Sequence, residues 1–172
     1  MTAQPTPTRP GADRTGPREG RARILLTGMS GVGKSTLVAL LRARGHAAVD
    51  LDDGYTTESS NLPGEVLWLE DRVRELLDGP EEVLFVAGCA SNQGVFRADF
   101  DRTVLLSAPP EVIRARLRDR DTNNFGKTPE QEAQVLADLA EVEPLLRRVA
   151  DVEIITTGTP EHTVGRILGL LS

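Results

Sequence analysis

Hydrophobic and polar positions follow two different periods along the chain. Short apolar runs stand at 23–27 (RILLT), 46–50 (HAAVD), 82–87 (EVLFVA), 103–107 (TVLLS) and 152–156 (VEIIT). Their length and their bounding Gly, Pro and charged residues predict five strands. Between them lie stretches with helical spacing. Residues 35–44 place apolar side chains at 37, 38, 40 and 41, and Gly45 is set to close that helix. Residues 63–78 carry Val66, Leu67, Leu69, Val73, Leu76 and Leu77 among charges and stop at Gly79-Pro80, which predicts one amphipathic helix. Further helices are expected over 110–120, with Pro110 in the first turn, over 129–149, kinked or broken at Pro144, and over 160–171.

Strands alternating with helices imply βαβ crossovers and a parallel sheet. Near-continuous apolar strands agree, because such a sheet is covered on both faces. The expectation is α/β: three α/β/α layers around a five-stranded parallel sheet, filling one domain over 23–172. Residues 1–22 hold four Pro, three Gly and few large apolar side chains. Such a segment buries too little to offset its ordering entropy, and it is expected to be a disordered tail.

The first strand runs straight into Gly28-Met29-Ser30-Gly31-Val32-Gly33-Lys34-Ser35, which fits G-x-x-x-x-G-K-[ST]. Given this composition, roughly 0.002 chance matches are expected, and the strand-to-helix setting is the one the motif requires. Glycines let the backbone wrap an anion and turn N–H groups inward, while the helix from Lys34 aims its positive end at the same point. Gly28, Ser30, Gly31, Val32, Gly33, Lys34, Ser35 and Thr36 are therefore expected to bind the phosphates of a nucleotide, which by itself leaves kinases, GTPases, motors and transport ATPases open. Lys34 is expected to reach the β- and γ-phosphates, and Ser35 to bind Mg²⁺. The fold class is thus a P-loop NTPase fold. The chain has 18 Arg but only two Lys, Lys34 and Lys127, which singles out both lysines.

Charge narrows the partners. Twenty Lys+Arg against 26 Asp+Glu leave −6. Five Arg against Asp13 and Glu19 give the first 23 residues +3, so the rest carries −9. A body that acidic argues against nucleic acid and anionic membranes as partners. One cysteine, Cys89, permits no internal disulfide. No apolar run approaches a membrane span, and the first residues lack a secretory apolar core. A cytoplasmic protein is expected, monomer or dimer.

No N-K-x-D loop for guanine is present, and the third strand lacks a terminal Asp. The carboxylate for Mg²⁺ must come from elsewhere. Asp50-Leu51-Asp52-Asp53 lies where the second strand reaches the carboxyl edge of the sheet, the edge where ligands bind in open α/β folds. Asp50 is expected to support Mg²⁺, and Asp52 to orient or deprotonate an acceptor hydroxyl.

With these residues in place, the chain resembles the shikimate kinase and gluconate kinase branch of the adenylate-kinase-like P-loop kinases. Gly28 to Thr36, Asp50-x-Asp52 and Arg116-Leu117-Arg118-Asp119-Arg120 carry the likeness. It implies ATP-dependent phosphoryl transfer to a small-molecule hydroxyl. It also implies that Arg116 packs on adenine and that Arg120 reaches the phosphates from a short lid over about 119–128, with Lys127 near. It implies too that 156–160 (TTGTP) holds the adenine edge. Two departures set the chain apart from shikimate kinase itself. The usual Gly-Gly-Gly turn is replaced by Gly88 to Gly94 (GCASNQG), and the nearest match to the Phe-Arg pair whose arginine binds the substrate carboxylate is Trp68-Leu69, which lacks that arginine. The acceptor site is expected instead from Asp52, Tyr55, Arg72, Asn92, Gln93 and Arg97, and Trp68 is expected in the core. A nucleoside monophosphate kinase and an ATP-hydrolysing switch are the alternatives.

Overall fold

The computed structural model describes residues 20–120 and 127–172. The expected tail over 1–22 and the lid over 119–128 therefore fall largely outside the described residues. Five strands form one sheet: β1 (Ala22–Thr27), β2 (Ala47–Asp50), β5 (Val83–Ala87), β6 (Arg102–Ser107) and β7 (Val152–Ile155). All neighbours pair parallel, in the order β2-β5-β1-β6-β7. The chain thus leaves β1 toward one side of the sheet and later returns to its other side. Such a reversal is the place where open α/β sheets hold their ligands, at the carboxyl end of the strands.

Alternate residues along each strand feed opposite faces. Ile24 and Leu26 of β1, with Phe85 and Ala87 of β5, pack under α1 (Lys34–Ala43), α3 (Pro110–Asp119), α4 (Pro129–Val149) and α5 (Pro160–Gly169). Leu25, Leu84 and Val86 face the other way, against α2 (Glu70–Leu77) and a 3-10 helix (Gln93–Asp99). Gly45 follows α1 at φ 86, and its N–H bonds the Arg42 carbonyl at 2.9 Å, as the sequence suggested. α4 passes Pro144 as a single 21-residue helix rather than breaking there.

The helix expected over 63–78 is a correction. Its first part is an antiparallel hairpin of β3 (Thr56–Glu58) and β4 (Val66–Trp68), and α2 begins only at Glu70. Gly64 at φ 80 makes the hairpin turn, and Leu69 at ψ 98 is extended. The apolar residues of β4 happen to continue the period of α2, which hid a Pro63-Gly64 turn signal.

The amino edge of the sheet is tied by polar groups. Arg23 is fully buried, donating to the carbonyls of Leu77 at 2.7 Å, Gly79 at 2.9 Å and Glu81 at 2.9 Å. Its cation thus meets the carbonyl end of α2. Asp101 accepts from the Arg23 N–H, and Asp151 from the Thr103 N–H, each at 2.7 Å.

Candidate active site

The carboxyl end of β1 leads into a loop that only glycine can make. Gly28 lies at φ 153, and a Cβ there would stand 2.3 Å from the Leu106 carbonyl oxygen. Gly31 (φ 85) packs under Ile113 and Leu117 of α3, whereas Gly33 (φ 99) has open space where its Cβ would be. Val32, 1% exposed, anchors the loop in the core, while Ser30 and Thr36 are exposed. Lys34 folds back so that Nζ donates to the carbonyls of Gly28 (2.5 Å) and Met29 (3.1 Å). Burial lowers its pKa; Cys89, Asp52 and Asp50 oppose that shift, and Arg120 adds to it.

Ser35, at the start of α1, donates its hydroxyl to Asp50 Oδ2 at 2.6 Å. The other oxygen of Asp50 accepts from the Asp52 N–H at 3.1 Å. Asp50 is 6% exposed and closes β2 at the same edge. A hydroxyl and a carboxylate in contact beside a phosphate loop make a hard-oxygen set that suits Mg²⁺. Among the described residues no group of three or more His, Cys, Asp or Glu could form a cage for a metal. Asp52 has its carboxyl pKa raised, first by desolvation and then by Asp50, with Lys34 pulling it down.

Arg116 spans two loops. It donates to the carbonyls of Gly31 (3.3 Å) and Val32 (3.4 Å), to Thr156 Oγ1 (2.9 Å) and to the Thr156 carbonyl. Thr156, 4% exposed, donates in turn to the Val32 carbonyl at 2.9 Å. The loop after β7 is thereby fastened to the phosphate loop. Arg120 ends α3 near enough to Lys34 to depress its ammonium. Lys127 faces elsewhere, lining a cavity of about 420 Å³ with Arg114, Arg118 and Glu132 between α3 and α4.

The expected acceptor residues separate. Tyr55 lies at the turn after Asp52 and carries the Arg72 guanidinium 5.1 Å above its ring. Gln93 accepts from Thr27 Oγ1 at 3.2 Å and from the Ala90 N–H at 3.3 Å, beside the phosphate loop. Asn92 is a clamp: its amide accepts from the Trp68 N–H (2.8 Å) and donates to the Trp68 carbonyl (3.0 Å). Arg97 lies at the opposite edge, because the 3-10 helix descends from the end of β5 to the start of β6. There it donates to the Val149 carbonyl and faces Asp151 at 3.9 Å. Trp68 is in the core as expected, at 2% exposure. Cys89 is placed against the site by its link to Lys34; burial pushes its thiol up, while Lys34 and hydrogen bonds with Thr27 and Gly28 pull it down. Thr27 and Thr156 were not singled out individually. Their signal was position alone, each at the carboxyl end of a strand.

Among the described residues no helix is long and apolar enough to cross a membrane. No curated protein matches the sequence. Solved structures do. Shikimate kinase from Bacteroides thetaiotaomicron superposes with TM-score 0.61 at 21% identity, covering 87% of this chain and 98% of its own. Shikimate kinase from Acinetobacter baumannii, in complex with shikimate, gives 0.61 at 22%, covering 88% and 93%. A sugar kinase from Janibacter gives 0.56 at 21%, covering 88% and 94%. These likenesses establish the fold. The model of the AAA domain family matches residues 24–137. With its phosphate loop, its carboxyl-edge carboxylates and well over half its length matched, this chain belongs to the AAA domain family of P-loop proteins, on the fold of the shikimate kinases.

Proposed function

We propose that the protein is an ATP-dependent phosphotransferase that moves the γ-phosphoryl group to a hydroxyl of a small molecule. The observation that carries this reading is the 2.6 Å bond from Ser35 to Asp50, with Asp52 two residues beyond. It brings together a hydroxyl and a carboxylate of the kind that suits Mg²⁺, with a second carboxylate close by in sequence at the mouth of the loop. The phosphates would lie over Gly28 to Thr36, with Lys34 turned from its loop carbonyls toward them. Ser35 and Asp50 would hold Mg²⁺, which when bound supplies neutralisation of phosphate charge. Asp52 would accept the hydrogen bond of the incoming hydroxyl and take its proton. A carboxylate held above its ordinary pKa suits that role. Arg120 would add positive charge at the transferring group. The N–H edge of Arg116 is already engaged, so adenine would meet the face of its guanidinium. Catalysis would rest on positioning and fixed charge.

A nucleoside monophosphate as acceptor calls for several cations near Asp52. With Arg97 at the far edge, Arg72 is the one among the six expected acceptor residues. The test is ADP formation with Mg²⁺ and ATP against pools of sugars, polyols, hydroxy acids, nucleosides, nucleoside monophosphates and hydroxylated antibiotics. Turnover that rises with one pool, with a product heavier by one phosphoryl group, is the expected result. Tight ATP binding with turnover indifferent to every pool would replace this reading with that of a nucleotide-driven switch.

A further inference from the structure

We propose that the cavity between α3 and α4 binds a small polyanion, a phosphate ester or a polycarboxylate, at a site separate from the phosphate loop. The cavity measures about 420 Å³, the size of a small-molecule pocket. Arg114 and Arg118 line it from α3, Lys127 stands just before α4, and Glu132 comes from the first turn of α4. Pro129, Ala133 and Leu136 supply its apolar wall. Three cations against one carboxylate give the lining +2, within residues 24–172 that carry −9. The inference does not depend on the phosphotransferase reading, which uses none of these residues.

The placement of these charges exceeds what ion pairing requires. Glu132 is 15% exposed and holds Arg114 Nε at 2.6 Å and Arg118 Nη2 at 3.0 Å, from side chains 46% and 60% exposed. One recessed carboxylate thus fixes two guanidinium groups at the mouth of the cavity. Each guanidinium has five N–H donors. Glu132 engages one nitrogen of Arg114 and two of Arg118, and the rest of each fork faces no other acceptor among the described residues. Lys127 is exposed beside them and makes no ion pair among the described residues. The first turn of α4, at Pro129, adds the positive end of a 21-residue helix. The site also faces away from the nucleotide loop. Arg116 turns to Gly31 and Thr156, and two residues along a helix is a rotation of about 200°, so Arg114 and Arg118 project from the opposite face of α3. Paired oxygens of phosphate or carboxylate match a guanidinium fork, and Lys127 adds a point charge. A ligand with two or more negative charges balances the surplus of the lining.

The test is calorimetry on the full chain with Mg·ADP at saturation, which keeps the probes off the phosphate loop. The probes are fructose 1,6-bisphosphate for phosphate esters and tricarballylate for polycarboxylates, titrated at constant ionic strength. Saturable one-to-one binding of at least one probe is expected, and the tighter of the two names the chemistry of the anion. The double variant Arg114→Gln, Arg118→Gln is expected to weaken that binding at least about tenfold and to leave ADP affinity within about twofold. Lys127→Gln is expected to weaken it about threefold. Lys127 is exposed, so this variant decides the matter if the double variant fails to fold. Absence of saturable binding by both probes overturns the inference. Binding that all these variants leave intact overturns it too, because the anion then sits elsewhere. Either result leaves the phosphotransferase reading untouched.

Discussion

Asp52 carries the sharpest prediction. Asp52→Asn is expected to cut phosphoryl transfer by at least about a hundredfold while ATP affinity, measured by calorimetry, stays within about twofold. Its pKa is raised on folding, so between its unfolded and folded values the native chain holds a proton that the unfolded chain has released. Stability therefore falls as pH rises through that window, which begins near the ordinary 3.8. The Asn variant is accordingly expected to melt no lower than the wild type at neutral pH. Its rate profile is also expected to lack the acidic limb that Asp52 imposes. Gly28→Ala tests the loop differently: the 2.3 Å clash with Leu106 and the positive φ are expected to remove about 2 kcal/mol or more of stability in urea. The phosphate-loop residues were legible because their spacing is itself a statement of geometry. Arg97 was not, because its direction is set by how the 3-10 helix descends between β5 and β6. Asn92 and Trp68 were both noticed, but their mutual clamp joins residues 24 positions apart and leaves no local signature.

The strands, α1, α3, α4 and α5 followed from periodicity and punctuation, each within a few residues. The β3–β4 hairpin did not, since three apolar residues of a short strand can extend a helical pattern by coincidence. What holds that region is tertiary. Asn92→Ala is expected to cost about 1–2 kcal/mol in urea and to shift Trp68 fluorescence to the red as the β4 clamp opens. α2 depends on a contact equally hidden from pattern. Arg23 opens an apolar run and reads as a solvated end, yet it is the fully buried cation at the end of α2. Arg23→Met keeps the packing but removes the donor to the carbonyls of Ala22, Leu77, Gly79 and Glu81. The expected loss is about 3 kcal/mol, read from the urea midpoint at unchanged slope.

At the scale of the whole molecule, nucleotide binding at this loop is expected to add to folding stability. A ligand present at 100 times its Kd adds about 2.7 kcal/mol. For a domain of this size that is roughly 5–10 °C in Tm. Mg·ATP is expected to produce that shift by scanning fluorimetry, and Lys34→Ala to erase most of it. The parallel sheet makes the two rims unequal. The amino rim is knotted by Arg23, Asp101 and Asp151, whereas the carboxyl rim carries the phosphate loop and the carboxylates of Asp50 and Asp52. Folding and chemistry are thus written into opposite ends of the same strands. On the phosphotransferase reading, a lineage can drift in the exposed residues around the carboxyl rim and change its acceptor without untying the amino rim, provided the Asn92–Trp68 clamp is kept.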